Sequence, residues 1–190
     1  MTVMDAVEAR KRGDLATLLD LLSDTDIRTR WAAAQQLGKL GDPGAIEPLV
    51  RRLQAADDGL RVSAIRALAA IGDASAAPAL IETAGNDPAS GVRLTAIEAL
   101  ALLGDPRGGE MLAMLAVDPE SLLATSERKF ASFQQRDYRR ERRWATKRLR
   151  ELQPKGALPA LERTRPRSQL QRIRLARIRR ALRARSGRVG

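Results

Sequence analysis

Cysteine is absent from this chain of 190 residues, which excludes disulfides and thiolate metal sites. That agrees with a reducing compartment. Histidine is absent too. The commonest general base and the commonest zinc ligand are therefore missing. Any catalysis would fall to carboxylates, lysine, tyrosine or serine. Aromatic residues number five, so alanine and leucine must build the core, and those side chains suit close packing of helices. No apolar run approaches the ~18 residues of a membrane span. The opening residues, Met1-Thr-Val-Met-Asp-Ala-Val-Glu-Ala-Arg-Lys-Arg12, mix charge into apolar positions. They lack the uninterrupted apolar stretch of a signal peptide. The expectation is a soluble, cytoplasmic protein with no membrane partner. Phosphate-loop and dinucleotide glycine motifs are missing as well. Carboxylate pairs such as Asp57 and Asp58 fall in a turn expected to face solvent. No catalytic residue, metal ligand or cofactor is assigned.

What the chain does contain is a phrase written three times. Arg30-Trp-Ala-Ala-Ala-Gln-Gln-Leu-Gly-Lys-Leu-Gly41-Asp42-Pro43 is followed by Arg61-Val-Ser-Ala-Ile-Arg-Ala-Leu-Ala-Ala-Ile-Gly72-Asp73-Ala74. The third copy is Arg93-Leu-Thr-Ala-Ile-Glu-Ala-Leu-Ala-Leu-Leu-Gly104-Asp105-Pro106. Arginine precedes the glycine by 11 residues each time, and the Gly-Asp pairs lie 31 and 32 residues apart. A period in that range signals stacked supersecondary units. Each unit reads as two helices. Ala64, Ala67, Leu68 and Ile71 recur at helical spacing on the first. Gly41, Gly72 and Gly104 end it in the left-handed conformation. Asp42, Asp73 and Asp105 then cap second helices over about 44–54, 75–84 and 107–116, and Pro43 and Pro106 suit the first turn. Acidic turns (Asp24 and Asp26, Asp57 and Asp58, Asp87) separate the units. Their carboxylates and Arg30, Arg61 and Arg93 are expected to cap helices and bridge neighbouring repeats.

This Asp…Arg…Gly-Asp-Pro pattern resembles the HEAT repeat in its short, PBS-lyase HEAT-like form. The resemblance implies an all-α fold, a right-handed α-solenoid of antiparallel helix pairs with about five repeats and atypical ends. Residues 24–117 hold three regular copies. Residues 1–23 form a degenerate capping copy around Gly13-Asp14. A shift of 112 residues lays Ala33, Leu37, Leu40, Gly44, Ala45, Ile46 and Leu49 on Ala145, Leu149, Leu152, Gly156, Ala157, Leu158 and Leu161. There Gln153-Pro154 replaces Gly-Asp. Residues 143–190 thus read as a degenerate basic repeat closed by a helix over about 167–185. Residues 118–142 are a polar, basic insertion, and insertions in arrays often map to the binding face.

Charge is unevenly placed. Residues 1–126 hold 12 basic and 18 acidic residues, net −6, whereas 127–190 hold 22 and 5, net +17. Such asymmetry points to a polyanionic partner. Candidate nucleic-acid-binding residues are Arg136, Arg139, Arg140, Arg142, Arg143, Lys147, Arg148 and Arg150 in one tract. Arg172, Arg174, Arg177, Arg179, Arg180 and Arg183 form the other. Guanidinium groups fork onto phosphates and stack on bases. Phe130, Phe133 and Tyr138 stand beside the first tract as possible stacking platforms, as RNA recognition requires. Trp144 matches the neighbourhood of Trp31 and is expected in the core. Three function classes follow. The first is a non-catalytic scaffold for nucleic acid, RNA ahead of DNA. The second is an adaptor for an acidic protein. The third is an enzyme, for which the family resemblance supplies bilin lyases and glycosylases of alkylated DNA as precedents. The last finds no matching catalytic positions here.

Overall fold

A cap, a stop and an apolar stripe recur in each unit, and the chain folds accordingly. The computed structural model describes residues 2–119, 139–166 and 168–186. Eleven α-helices and no strand occur among them: α1 Val3–Lys11, α2 Leu15–Leu21, α3 Ile27–Leu40, α4 Ile46–Arg52, α5 Asp58–Ile71, α6 Ala77–Asn86, α7 Ser90–Leu102, α8 Pro106–Val117, α9 Arg139–Leu152, α10 Ala157–Arg163 and α11 Gln169–Ser186. The result is an all-α solenoid. The first helices α1, α3, α5 and α7 stack in one row, and each second helix packs on the first helix of the next unit. The stack is close because small residues meet: a Cβ on Gly38 would lie 2.7 Å from the Cα of Ala67. The core is a continuous strip of alanine and leucine running from Ala6 to Leu182. Among the described residues no helix is long and apolar enough to cross a membrane.

The punctuation works as its chemistry dictates. Gly41, Gly72 and Gly104 take φ of 74°, 82° and 74°, the left-handed region where a side chain costs about 1–2 kcal/mol. Asp42, Asp73 and Asp105 accept from the backbone N–H of Gly44, Ser75 and Arg107 at 2.8, 2.8 and 2.9 Å. Two of the second helices depart from the expected spans. In place of an α-helical first turn, 3-10 turns at Pro43–Ala45 and Ala74–Ala76 precede α4 and α6. Pro48 and Pro78 explain this. Each lacks the N–H that would bond back into that first turn, so the tighter pattern takes over. The third copy has Arg107-Gly108 after its proline and stays α-helical from Pro106.

The repeat arginines bind carbonyls. The Nη1 of Arg30, Arg61 and Arg93 donates to the oxygens of Asp24, Ala55 and Asp87 at 2.7, 2.8 and 2.6 Å. Each guanidinium thereby holds the turn before its own helix. Arg61 also reaches the next turn: its Nε and Nη2 donate to Asp87 Oδ2 and Oδ1 at 2.8 and 3.1 Å, with both residues buried. In the preceding repeat the Trp31 indole N–H bonds the Asp57 carboxylate instead.

The array changes at its C-terminal end. α9 packs chiefly on α8 rather than on α7, and α8 packs closely on α10. Gly109 permits the second contact, because any Cβ there would overlap the Lys155 carbonyl. Across the 112-residue shift, Ala145, Leu149 and Leu161 are buried like Ala33, Leu37 and Leu49. Gln153, which stands where Gly41 stands, takes φ 44°.

Candidate functional site

The two basic tracts become helices, and the fold sets those helices face to face. Along α9, Ala145 and Leu149 are buried, and Trp144 and Leu152 pack against the core. That apolar stripe turns a second stripe outward: Arg139, Arg142, Arg143, Thr146, Lys147 and Arg150, at helical spacing on one side. In α11 the buried residues are Leu175, Ile178 and Leu182. Arg174 and Arg177 flank them. Between α9 and α11 runs a groove of about 690 Å³. Arg139, Arg142, Arg143, Thr146, Lys147, Arg150 and Glu151 line it from α9, Arg174, Arg177 and Ile178 from α11, and Ala116 of α8 from below. Among the described residues, seven cations and one carboxylate therefore share one concavity. Low-dielectric walls bearing one sign of charge focus the field within a cleft.

Other candidate residues lie elsewhere. Arg148 is half-buried and ties α9 to the array, pairing with Glu98 at 2.8 Å and with Glu151 at 2.9 Å. Arg179 donates to the carbonyls of Leu161 and Glu162, its Nε reaching Leu161 O at 3.0 Å. It thereby caps the C-terminal end of α10. Arg183 pairs with Glu162 at 2.7 Å. Arg140, Arg172 and Arg180 are exposed on the helix surfaces and do not line the groove. Arg136, Phe130, Phe133 and Tyr138 lie outside the described residues, as does most of the segment 118–142. Its last residues, 139–142, are the first turn of α9.

Four groove residues escape the reading of the sequence: Ala116, Thr146, Glu151 and Ile178. Thr146 and Ile178 are ordinary helix residues, and only the packing of α11 over α8 and α9 brings them to this surface. Glu151 had a faint signal in its spacing from Lys147 and Arg148, which marks helical ion pairs. Lys147 approaches it at 3.6 Å. Among the described residues no cluster of acidic side chains is arranged to hold a metal ion.

A second, more apolar concavity of about 390 Å³ lies on the first-helix row, lined by Ile65, Ala69, Ala70, Ala99 and Leu102 together with Arg66, Thr95, Glu98 and Arg148. Leu102 is 55% exposed there.

Residues 4–62 and 52–128 match the family model for HEAT repeats. The match ends before α9. No curated protein matches the chain. Among solved structures, it is similar to an engineered protein at 20% identity, over 97% of this chain and 85% of that one, with a TM-score of 0.49.

Proposed function

We propose, since this chain belongs to the HEAT-repeat family, that it is a non-catalytic scaffold whose basic end holds nucleic acid, RNA ahead of DNA. One observation carries the reading: arginines from both basic tracts line a single groove. A solvated surface has no need to gather like charges, which repel one another there. A polyanion repays the gathering through released counterions. Phosphate contacts of this type position the ligand and supply affinity with little sequence readout. RNA is preferred because Phe130, Phe133 and Tyr138 adjoin the first tract in the chain. On this reading α9 and α10 are an altered fifth repeat, and the array supplies a rigid mount for them.

Full-length protein bound to labelled mixed-sequence RNA, followed by fluorescence anisotropy, tests the proposal. Affinity should fall steeply with added salt. The double variant Arg143→Glu/Arg177→Glu should weaken binding by more than about tenfold. Arg28→Glu, on the acidic array, should change it little. Equal loss from both variants would sink the idea.

A second reading, an adaptor for an acidic protein, is favoured by the apolar concavity around Leu102. A partner retained after nuclease treatment and lost on Leu102→Asp would support it.

A further inference from the structure

We infer that the outward face of α11 docks on an anionic lipid bilayer, Leu170 and Ile173 entering the acyl region while arginines meet the lipid phosphates. The inference goes beyond the nucleic-acid reading and does not rest on it.

α11 packs on α8, α9 and α10, and its buried side chains are Leu175, Ile178 and Leu182. The core accounts for that stripe. It does not account for Leu170 and Ile173, which stay 55% and 46% exposed. At about 100° per residue, Ile173 lies about 180° around the helix from Leu182, and Leu170 about 140° from Leu175. Neither lines the basic groove. Arg177 and Arg180 follow Ile173 on the same outward side at helical spacing. Both are exposed, as is Arg172 next to Ile173 in the chain. The helix carries seven arginines and no acidic residue.

Two aliphatic side chains beside exposed guanidinium groups select among partners. A second copy of α11 would set arginine against arginine, and like charges brought together oppose association. A nucleic acid would meet the arginines but find in Leu170 and Ile173 no ring on which a base could stack. An anionic bilayer satisfies both groups at once. Basic helices of this kind lie in the interfacial plane with their apolar side chains below the headgroups. The long arginine stem keeps its charge at headgroup level while the aliphatic chains go deeper. The negative surface potential attracts Arg172, Arg177 and Arg180, each worth about fivefold in affinity near the surface. No described helix can cross a membrane, and a helix lying on its surface needs no span.

The test sediments the full chain with vesicles of phosphatidylcholine alone and of phosphatidylcholine mixed with phosphatidylglycerol. Anionic vesicles should bind at least about tenfold tighter than neutral ones, given three arginines near the surface. The double variant Leu170→Ser/Ile173→Ser should weaken that binding by at least about tenfold. Arg180→Gln, outside the groove, should weaken it by about fivefold. Met4→Ser removes an apolar side chain exposed in α1 and should leave it unchanged. RNA binding should survive Leu170→Ser/Ile173→Ser, since neither residue lines the groove. Absence of vesicle binding would overturn the inference. So would equal binding to neutral and anionic vesicles, or anionic binding that the double variant retains. The proposed function stands or falls on the RNA measurement alone.

Discussion

Arginine stands in two different settings in this molecule, one buried and one exposed. Arg61 and Arg93 are buried; the Nη1 of each donates to two turn carbonyls, and Arg61 also donates to the Asp87 carboxylate. Burying a cation is costly unless it is hydrogen-bonded, so these residues are fixed by the fold they serve. Arg143 and Arg177 lie exposed along a groove, where charge stays available to a ligand. Gln153 shows the opposite economy of fit. It holds the left-handed position that glycine fills in the regular copies. A side chain there costs about 1–2 kcal/mol. Gln153→Gly should therefore stabilise the protein by about 1 kcal/mol, after the entropy that glycine loses on folding. Thermal melting should rise by about 2–4 °C for a chain of this size. An unchanged or lower midpoint would contradict the account.

At the scale of helices, the regular copies were legible because each boundary is written in one or two residues. Gly41-Asp42, Gly72-Asp73 and Gly104-Asp105 stop one helix and cap the next. The 3-10 turns before α4 and α6 were less visible. Their cause, a proline a few residues inside the second helix, stands outside the repeated phrase. The groove was half legible. Both tracts could be named from charge, but their meeting depends on α11 crossing back over α8 and α9, which no local pattern encodes. Arg148 and Arg179 look like their neighbours in sequence. Only their distances to Glu98 and to the α10 carbonyls separate them. The seam that sets this end in place is the contact of α8 with the loop at Lys155 and Gly156. Gly109→Ala would drive a methyl group into the Lys155 carbonyl, and overpacking of that kind costs about 1–3 kcal/mol. Hydrogen exchange should quicken in α9, α10 and α11 while α3 to α6 keep their protection. Uniform acceleration along the chain would show that the seam is not local.

Over the whole molecule, the same cap recurs in unit after unit, so its titration is felt along the array. The Thr29 hydroxyl and N–H hold Asp26 below its ordinary value, the Ser75 N–H does so for Asp73, and the Arg107 guanidinium for Asp105. A carboxyl whose folded pKa is depressed contributes stability above its unfolded value, and that contribution is lost as pH falls through the folded one. Melting temperature should thus be insensitive to these groups between pH 7 and about 5. It should decline below about pH 4, where carboxyls begin to protonate. Circular dichroism at a series of pH values checks this, and a decline beginning near neutrality would assign it to other groups.

The basic groove sits at one end of an otherwise acidic stack. Charge is separated along the chain, net −6 over residues 1–126 and +17 over 127–190. In the field of a long polyanion such a body experiences a torque as well as an attraction. On the proposed function it would turn before touching, arginine end foremost, with its acidic end repelled. The repeat surface, including the concavity at Leu102, would then stand clear of the bound polyanion and face a second molecule.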